Sequence, residues 1–189
     1  LGLMQELNVA AMEPSEGALR LGVVYDMLHR SEAPVSEDPR TITVSRMQRR
    51  YGVDLDQARR VETLAQTFWQ RIETTAPDAP DSLLSWASAV HEIGMAIAHE
   101  DYHRHSAYVM EHSDIYGFSE QERAALALLV LGHTGSLKKL DRDALPHKLL
   151  ARLVCLRLAA LFCHGRIDET PAASLAAKGD AFALVVDSR

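Results

Sequence analysis

The sequence predicts a mostly α-helical protein that ends in a β-hairpin. Most of the 189 residues fall into segments whose apolar side chains recur every three or four positions, the spacing of one helix face. Residues that cap helices, such as serine and aspartate, precede several of these segments. The last segment, AASLAAKGDAFALVVDSR, instead reads as two strands on either side of a turn at residues 178–180.

The composition is that of an ordinary globular protein, with 47% hydrophobic and 24% charged residues. No apolar run is long enough to span a bilayer, and the start shows no signal-peptide pattern. The two cysteines, Cys155 and Cys163, lie eight residues apart in one predicted helix, about 12 Å along its axis. They are therefore too far apart for a disulfide, and we expect a cytoplasmic protein without a membrane span.

The predicted helices have a start or stop signal at most of their ends. Ser15 caps the first helix, which has Leu19, Val23 and Met27 on one face, and residues 31–40 form a linker that contains two prolines. Cap residues, stop signals and apolar spacing predict the remaining helices at these places: over 41–51 before Gly52, after Asp54, after Asp81, over 103–114, after the capping box of Ser119 and Glu122, and after Pro146.

The net charge of −6 conceals an uneven distribution. Residues 40–71 and 137–166 each carry seven Lys or Arg, against three and two acids, whereas residues 73–122 carry ten acids and one Arg. Such segments can be the solvated faces of separate helices. Alternatively, the two basic segments meet in the fold and form a surface for a polyanion.

Histidines are concentrated in HEIGMAIAHEDYHRHSAYVMEH, residues 91–112, which holds five of the nine in the chain. His99 to His103 spell H-E-x-x-H, the zinc-protease pattern, which requires both histidines on one face of a continuous helix. Gly94 interrupts the helix just before this pattern, and the extended form of the pattern lacks its third ligand. A chance match is therefore the better interpretation.

His91 and Glu92 suggest another metal site, the His-Asp pair of metal-dependent phosphohydrolases. Such a site also needs an earlier histidine and a later aspartate on other helices. No histidine lies between His29 and His91, and the helix after Pro146 contains no Asp. We therefore predict a His-Asp-phosphohydrolase-like helical domain with a degenerate metal site, followed by a truncated C-terminal β-hairpin. The alternative is an active phosphohydrolase with ligands drawn from His91, Glu92, His105 and His133.

The order of several motifs carries a more specific signal. Along the chain occur SEGALRLGVVYDML, DPRTITVSRMQRRYGVDLDQARRV, HEIG, HRHSAYVM, DIYGF and LVCLRLAALF. Together these motifs resemble the C-terminal part of the exopolyphosphatase / guanosine pentaphosphate phosphohydrolase family, over nearly all of the chain. The HRHS run and His133 favour the exopolyphosphatase branch.

The resemblance implies how the chain is divided and what it does. The implied parts are a remnant of the ATPase-like catalytic domain at 1–30, a linker at 31–40, a His-Asp-like helical domain at 41–167 and the start of a truncated β domain at 168–189. The N-terminal domains, which precede this chain, would hydrolyse terminal phosphate with Mg²⁺, so we expect no cofactor and no catalysis in the chain alone. The helical domain would help bind inorganic polyphosphate and form a homodimer, without nucleic acid as a partner. A pure dimerisation module remains an alternative.

A cluster of hydrogen-bond donors, His103, Arg104 and His105, lies near a predicted helix start, where backbone N–H groups favour anions. Arginine can make paired phosphate contacts, and histidine gains charge beside a phosphate. The predicted polyphosphate-binding residues, with no catalytic residue and no metal ligand, are Arg20, His103, Arg104, His105 and His133. As alternatives, Arg104 lies in solvent and Arg20 pairs with Glu16 or Asp26.

The histidines also have purely structural interpretations. His91 at a helix end can be a buried, hydrogen-bonded core residue. His133 follows Gly132 and can cap a helix C-terminus. Helical spacing also allows one partly buried stripe formed by His105, Tyr108 and His112.

Overall fold

The structure, a computed structural model, describes residues 38–72, 80–140, 145–168, 173–178 and 181–186. The predicted helix from Ser15, the predicted domain 1–30, most of the predicted linker and Arg20 lie outside these residues. The described part contains six α-helices and two strands: α1 Pro39–Tyr51, α2 Leu55–Ile72, α3 Ser82–Val90, α4 Tyr102–His112, α5 Glu120–Gly132, α6 His147–Phe162, β1 Ala173–Lys178 and β2 Ala181–Val186.

Local sequence explains where the helices begin and end. The Asp38 side chain accepts a hydrogen bond from the Arg40 backbone N–H, and Pro39 suits the first turn. Helix α1 therefore starts inside the segment predicted as linker. The predicted capping box of Ser119 and Glu122 is confirmed at the start of α5. The other predicted signals confirmed at helix ends are Gly52, Asp54, Asp81 and Pro146.

The apolar core forms around α2, which packs against α3, α6 and β1. Its inward face carries apolar side chains at the predicted helical spacing, and burying each large one stabilises the fold by about 1.5–3 kcal/mol. These fully or nearly fully buried residues are Val61, Leu64, Ala65 and Phe68. Asp81 links two of the surrounding helices, because it caps α3 and also pairs with Arg152 of α6 at 2.7 Å.

Helix α5 joins this core to α4. It packs against α3, α4 and α6, and Leu126 and Leu129 on it are fully buried. Between α3 and α4 the chain makes a short 3₁₀ helix, Ile93–Ala96, which packs against α4. This arrangement places the start of α4 beside the segment that follows α5.

The C-terminal strands form the predicted antiparallel hairpin. Lys178 pairs with Ala181 beside the predicted turn, and Ala173 pairs with Val186 at the other end. Leu175 is buried, and β1 packs on α2. Strand β2 is more open, and its exposed apolar residues are Leu184, Val185 and Val186.

The predicted fold class, mostly α with a C-terminal hairpin, is thus confirmed, whereas the likeness to His-Asp phosphohydrolases stays a prediction. One detail was wrong. The predicted stripe of His105, Tyr108 and His112 is not the buried face of α4, because Tyr108 is 61% exposed and His112 is exposed. Packing against α5 and Gly94 instead buries His103, Ser106, Ala107, Val109 and Met110. No helix in the described ranges is both long and apolar enough to cross a membrane.

Candidate anion-binding site

A pocket of about 460 Å³ opens between the start of α4 and the segment that follows α5. We call it the cationic pocket, because basic side chains outnumber its one acid. Its lining residues are Asp101, His103, Arg104, Gly135, Ser136, Lys138 and Lys139. The pocket thus joins two of the predicted donors to a pair of lysines that lies some way further along the chain.

Helix α4 contributes its N-terminal turn to the pocket. Asp101 precedes the helix with a positive φ of 51°, and its side chain makes no capping hydrogen bond. The N-terminus of a helix attracts anions through its backbone N–H groups and its dipole. Arg104 in the first turn is 63% exposed, and only a loose ion pair of 3.7 Å joins its Nε to the Asp101 carboxylate. Its guanidinium therefore remains available to a ligand.

The opposite wall is the segment from Thr134 to Lys139, which two cations hold by its carbonyl groups. Arg157 of α6 donates to the carbonyl oxygens of Gly132 and Gly135, at 2.9 and 2.6 Å. The Lys139 ammonium donates to the carbonyl oxygen of Thr134 at 3.0 Å. These bonds fix the wall without consuming the charge of either cation, because a carbonyl is neutral.

Two nitrogen atoms converge at Gly135. A Cβ atom there would lie 3.2 Å from His103 Nε2 and 3.4 Å from Lys139 Nζ. Gly135 also has a φ of 71°, a region that side chains disfavour. Glycine at this position therefore lets the imidazole of His103 and the ammonium of Lys139 approach the same part of the pocket.

Burial, together with the crowding of cations, lowers the proton affinity of Lys139 and His103 in the pocket. Burial, and then the neighbouring charges of Arg104 and Arg157, lower the pKa of Lys139 to about 8. Burial, followed by the charge of Lys139, lowers the pKa of His103. Both shifts mean that the empty pocket resists positive charge, which an anion would relieve.

The structure separates the predicted binding residues. It brings His103 and Arg104 into the pocket. His105 does not line the pocket, and its Cβ lies against Gly94 instead. A Cβ atom added to Gly94 would lie 2.8 Å from the His105 Cβ. His133 lies behind the pocket with 1% of its surface exposed. Arg20 lies outside the described residues.

His91 and His133 form a buried histidine pair whose rings lie edge to face at 5.1 Å. Nδ1 of each ring donates to a helix carbonyl, that of Ser88 at 2.7 Å and that of Val130 at 2.6 Å. The Tyr102 hydroxyl lies 3.1 Å from His133 Nε2 and donates to it, so both ring nitrogens of His133 are satisfied. The structural interpretations are therefore confirmed: His91 is a hydrogen-bonded core residue, and His133 is the C-cap of α5.

Burial dominates the charge state of this pair. It lowers the pKa of His91, and it lowers the pKa of His133 well below the ordinary value, with His91 adding to the shift. Burial also raises the pKa of Tyr102 to about 12. All three groups are thus neutral near pH 7, with His91 and His133 in the core and Tyr102 half-buried beside them.

The two metal sites considered from the sequence do not assemble. The Glu92 carboxylate lies 3.8 Å from His91 Nε2, but Arg166 binds it at 3.0 Å and also pairs with Asp54. His99 lies before α4, so H-E-x-x-H does not occupy one continuous helix. Across the described part of the chain, no group of three or more His, Cys, Asp or Glu side chains could hold a metal ion. Neither ligand set that the sequence suggested is therefore assembled among the described residues.

Sequence reasoning missed half of the pocket. Lys138 and Lys139 belong to the basic segment 137–166, but nothing in the sequence places them beside Arg104. Five arginines of the two basic segments are instead engaged with acids, in the pairs Arg40–Glu122, Arg59–Asp56, Arg60–Asp168, Arg152–Asp81 and Arg166–Asp54. The sequence feature that could have indicated these residues is the double lysine itself, because no acidic residue stands just before it.

Comparison with known families agrees with the motifs. The family model described as Ppx/GppA phosphatase, domain III, matches residues 40–189, which is well over half of the chain. The match begins within the first turn of α1 and includes the helices, the cationic pocket and the hairpin. The chain therefore belongs to the Ppx/GppA phosphatase family, and residues 40–189 correspond to its domain III.

Proposed function

We propose that this chain is the helical domain of an exopolyphosphatase and that its cationic pocket holds a stretch of inorganic polyphosphate. The observation that carries the proposal is the composition of the pocket. Four basic side chains and a helix N-terminus line it, against one acidic side chain. Hydrolysis of the terminal phosphate, with Mg²⁺, is assigned to the N-terminal catalytic domains that the family resemblance implies. The helical domain would hold the chain of phosphates for them.

The chemistry of the pocket suits a repeating anion. A polyphosphate carries about one charge per phosphate, and a protein that neutralises several of these charges gains affinity by releasing counterions. Arg104 can contact two phosphate oxygens at once, whereas Lys138 acts as a point charge. Within the described residues, the Lys138 ammonium has neither an ion pair nor a hydrogen bond. Both side chains are thus free to contact phosphate.

The predicted binding residues take different roles in this proposal. His103 and Arg104 contact phosphate together with Lys138 and Lys139. His133 acts indirectly, because its hydrogen bond to Tyr102 positions the start of α4. His105 makes no contact with phosphate at this pocket.

The test is the affinity of the chain for long-chain inorganic polyphosphate at pH 7, measured from 50 to 200 mM NaCl. The double variant Arg104→Ala/Lys138→Ala should bind at least about tenfold more weakly, and the salt slope of log K should shrink by about 1.4. Arg46→Ala/Arg49→Ala, on the exposed face of α1, removes the same charge elsewhere and should change little. Equal losses in both variants would contradict the proposal.

Dimerisation is the second candidate function, and strand β2 favours it. The sheet has only two strands in the described residues, and β2 exposes 58% of Val185 and 53% of Val186. An open edge of this kind can pair with the same strand of a second copy. Sedimentation equilibrium should show a dimer that Val185→Lys dissociates. Leu161→Lys, at a leucine outside the strands that is 68% exposed, should leave the dimer intact. A monomeric wild type would overturn this candidate.

A further inference from the structure

Lys139 has surroundings unlike those of the other basic residues of the cationic pocket. It is partly buried, and its ammonium is tied to the Thr134 carbonyl rather than to an acid. Charged or titratable groups face it from every neighbouring element: Asp101, His103 and Arg104 at the start of α4, His133 at the end of α5, Lys138 in its own segment and Arg157 on α6. Among these groups cations outnumber the single carboxylate.

We propose that Lys139 couples anion binding in the cationic pocket to the uptake of a proton, so that the affinity of the pocket for phosphate chains falls as the pH rises above neutrality. The inference rests on the proposed function, because it concerns the same pocket. It adds a regulatory property: the pocket is a proton-linked site whose occupancy responds to pH in the range in which cells live.

The physical reason is that a bound anion changes the sign of the net charge around the Lys139 ammonium. In the empty pocket, burial and the charges of Arg104 and Arg157 oppose an ammonium at Lys139, whose pKa is about 8. A phosphate chain beside Arg104 and Lys139 replaces this repulsion with attraction. The bound state then holds the proton more tightly than the free state, and linkage requires that binding weaken as protons become scarce.

The size of the effect follows from this pKa. At pH 8 about half of the free molecules lack the Lys139 proton, so binding should take up about half a proton per site. Between pH 7 and pH 9 the affinity should fall about tenfold. His103 contributes in a different range, because its pKa lies below the ordinary histidine value and its protonation therefore matters in acid.

The experiment is calorimetric titration of the chain with long-chain inorganic polyphosphate at pH 7, 8 and 9, in two buffers of different ionisation enthalpy. The difference in heat between the buffers gives the number of protons taken up. Lys139→Arg keeps the positive charge at every pH used, so it should bind with little proton uptake at pH 8 and with a nearly flat pH profile. Any proton uptake that remains in the Lys139→Arg variant measures protonation of the polyphosphate itself. His103→Gln should retain the uptake at pH 8.

The outcomes separate the two proposals. Absence of binding by the wild type at pH 7 overturns the proposed function and this inference with it. Binding at pH 7 without proton uptake at pH 8, or with the same uptake in Lys139→Arg, overturns the inference alone. If Lys139→Arg fails to bind polyphosphate, the assignment of the proton to Lys139 rests on His103→Gln. Proton uptake at pH 8 that persists in His103→Gln supports Lys139, and proton uptake that disappears contradicts it.

Discussion

The buried histidine pair and the cationic pocket lie on two sides of the same helix start and use similar residues for opposite purposes. In the pair, the Nδ1 atoms of His91 and His133 donate to helix carbonyls, and burial keeps the rings neutral. In the pocket, Arg104 makes a loose ion pair with Asp101, and the Lys138 ammonium has no partner among the described residues. The Tyr102 hydroxyl connects the two regions through His133.

The difference shows that a basic residue can bind an anion only where some of its donors are not already used by the fold. Both ring nitrogens of His133 and the Nδ1 of His91 are hydrogen-bonded within the fold, and an anion would have to displace such bonds before it could bind there. Arg104 and Lys138 need no such exchange, because their charged groups lie exposed at the pocket. The histidine run 91–112 thus divides between the core, at His91, and the pocket, at His103.

The largest expected effect comes from a change that disturbs both regions at once. A Cβ at Gly94 would overlap the carbonyl oxygen of Tyr102 and come within 2.5 Å of the Ser106 backbone nitrogen. These atoms belong to the backbone of α4 and cannot move aside cheaply. We expect Gly94→Ala to lower the free energy of unfolding by about 3 kcal/mol or more, measured by urea denaturation.

Gly165→Ala is the matched control for this change. The nearest atom to its added Cβ is Ile167 Cγ1 at 3.8 Å, an ordinary van der Waals contact. Its unfolding free energy should stay within about 0.5 kcal/mol of the wild type. Equal losses in the two variants would mean that the close approach of Gly94 to α4 does not hold the two regions in place.

The next effect is the pH dependence of stability, to which the buried pair contributes together with His103, whose pKa burial also lowers. Burial lowers the folded-state pKa of His91 and His133 below the unfolded value of about 6.5, so the unfolded chain binds more protons in acid. The stabilising contribution of the neutral rings is complete above that pH and is lost as the pH falls below it. Unfolding free energy should drop by up to about 1.4 kcal/mol per pH unit for each ring.

Urea denaturation at pH 7.5, 6.5 and 5.5 measures this slope in a range where carboxylates contribute little. His133→Gln should make the slope shallower, because it removes one of the titrating rings. His112→Gln, at an exposed position near the end of α4, is the matched control, because it removes an imidazole outside the buried pair. A slope that His112→Gln reduces as much as His133→Gln would place the titration outside the buried pair.

The sequence predicted the elements of this fold well because their signals are local. Asp54, Asp81 and the capping box at Ser119 each act on backbone within three residues. The pocket is different, since Arg104 and Lys138 meet only because α4 packs against α5. Helical periodicity also could not predict which face of α4 is buried, because that depends on how α4 packs against α5 and the 3₁₀ helix.

A third prediction dissociates stability from binding. His133→Gln removes a buried hydrogen bond to Tyr102 and should cost about 1–2 kcal/mol of unfolding free energy, while the salt slope of polyphosphate binding stays the same. His103→Gln should change polyphosphate binding rather than the unfolding free energy. It should weaken binding several-fold at pH 6, where the imidazole of the wild type gains charge beside phosphate. Urea denaturation and binding isotherms on both variants give the comparison. If both variants change the same quantity, the two regions are not separate.

The smallest effect concerns the one acid of the pocket. Asp101 lies 3.7 Å from Arg104 and makes no capping hydrogen bond, so Asp101→Asn removes a competing charge while asparagine tolerates the positive φ. Affinity for polyphosphate at pH 7 and fixed salt should rise about two- to fivefold, the size of an exposed charge interaction. Asp114→Asn removes the same charge from an exposed position outside the pocket and should leave the affinity nearly unchanged. An equal gain in both variants would show that net charge, rather than the geometry of the pocket, governs binding.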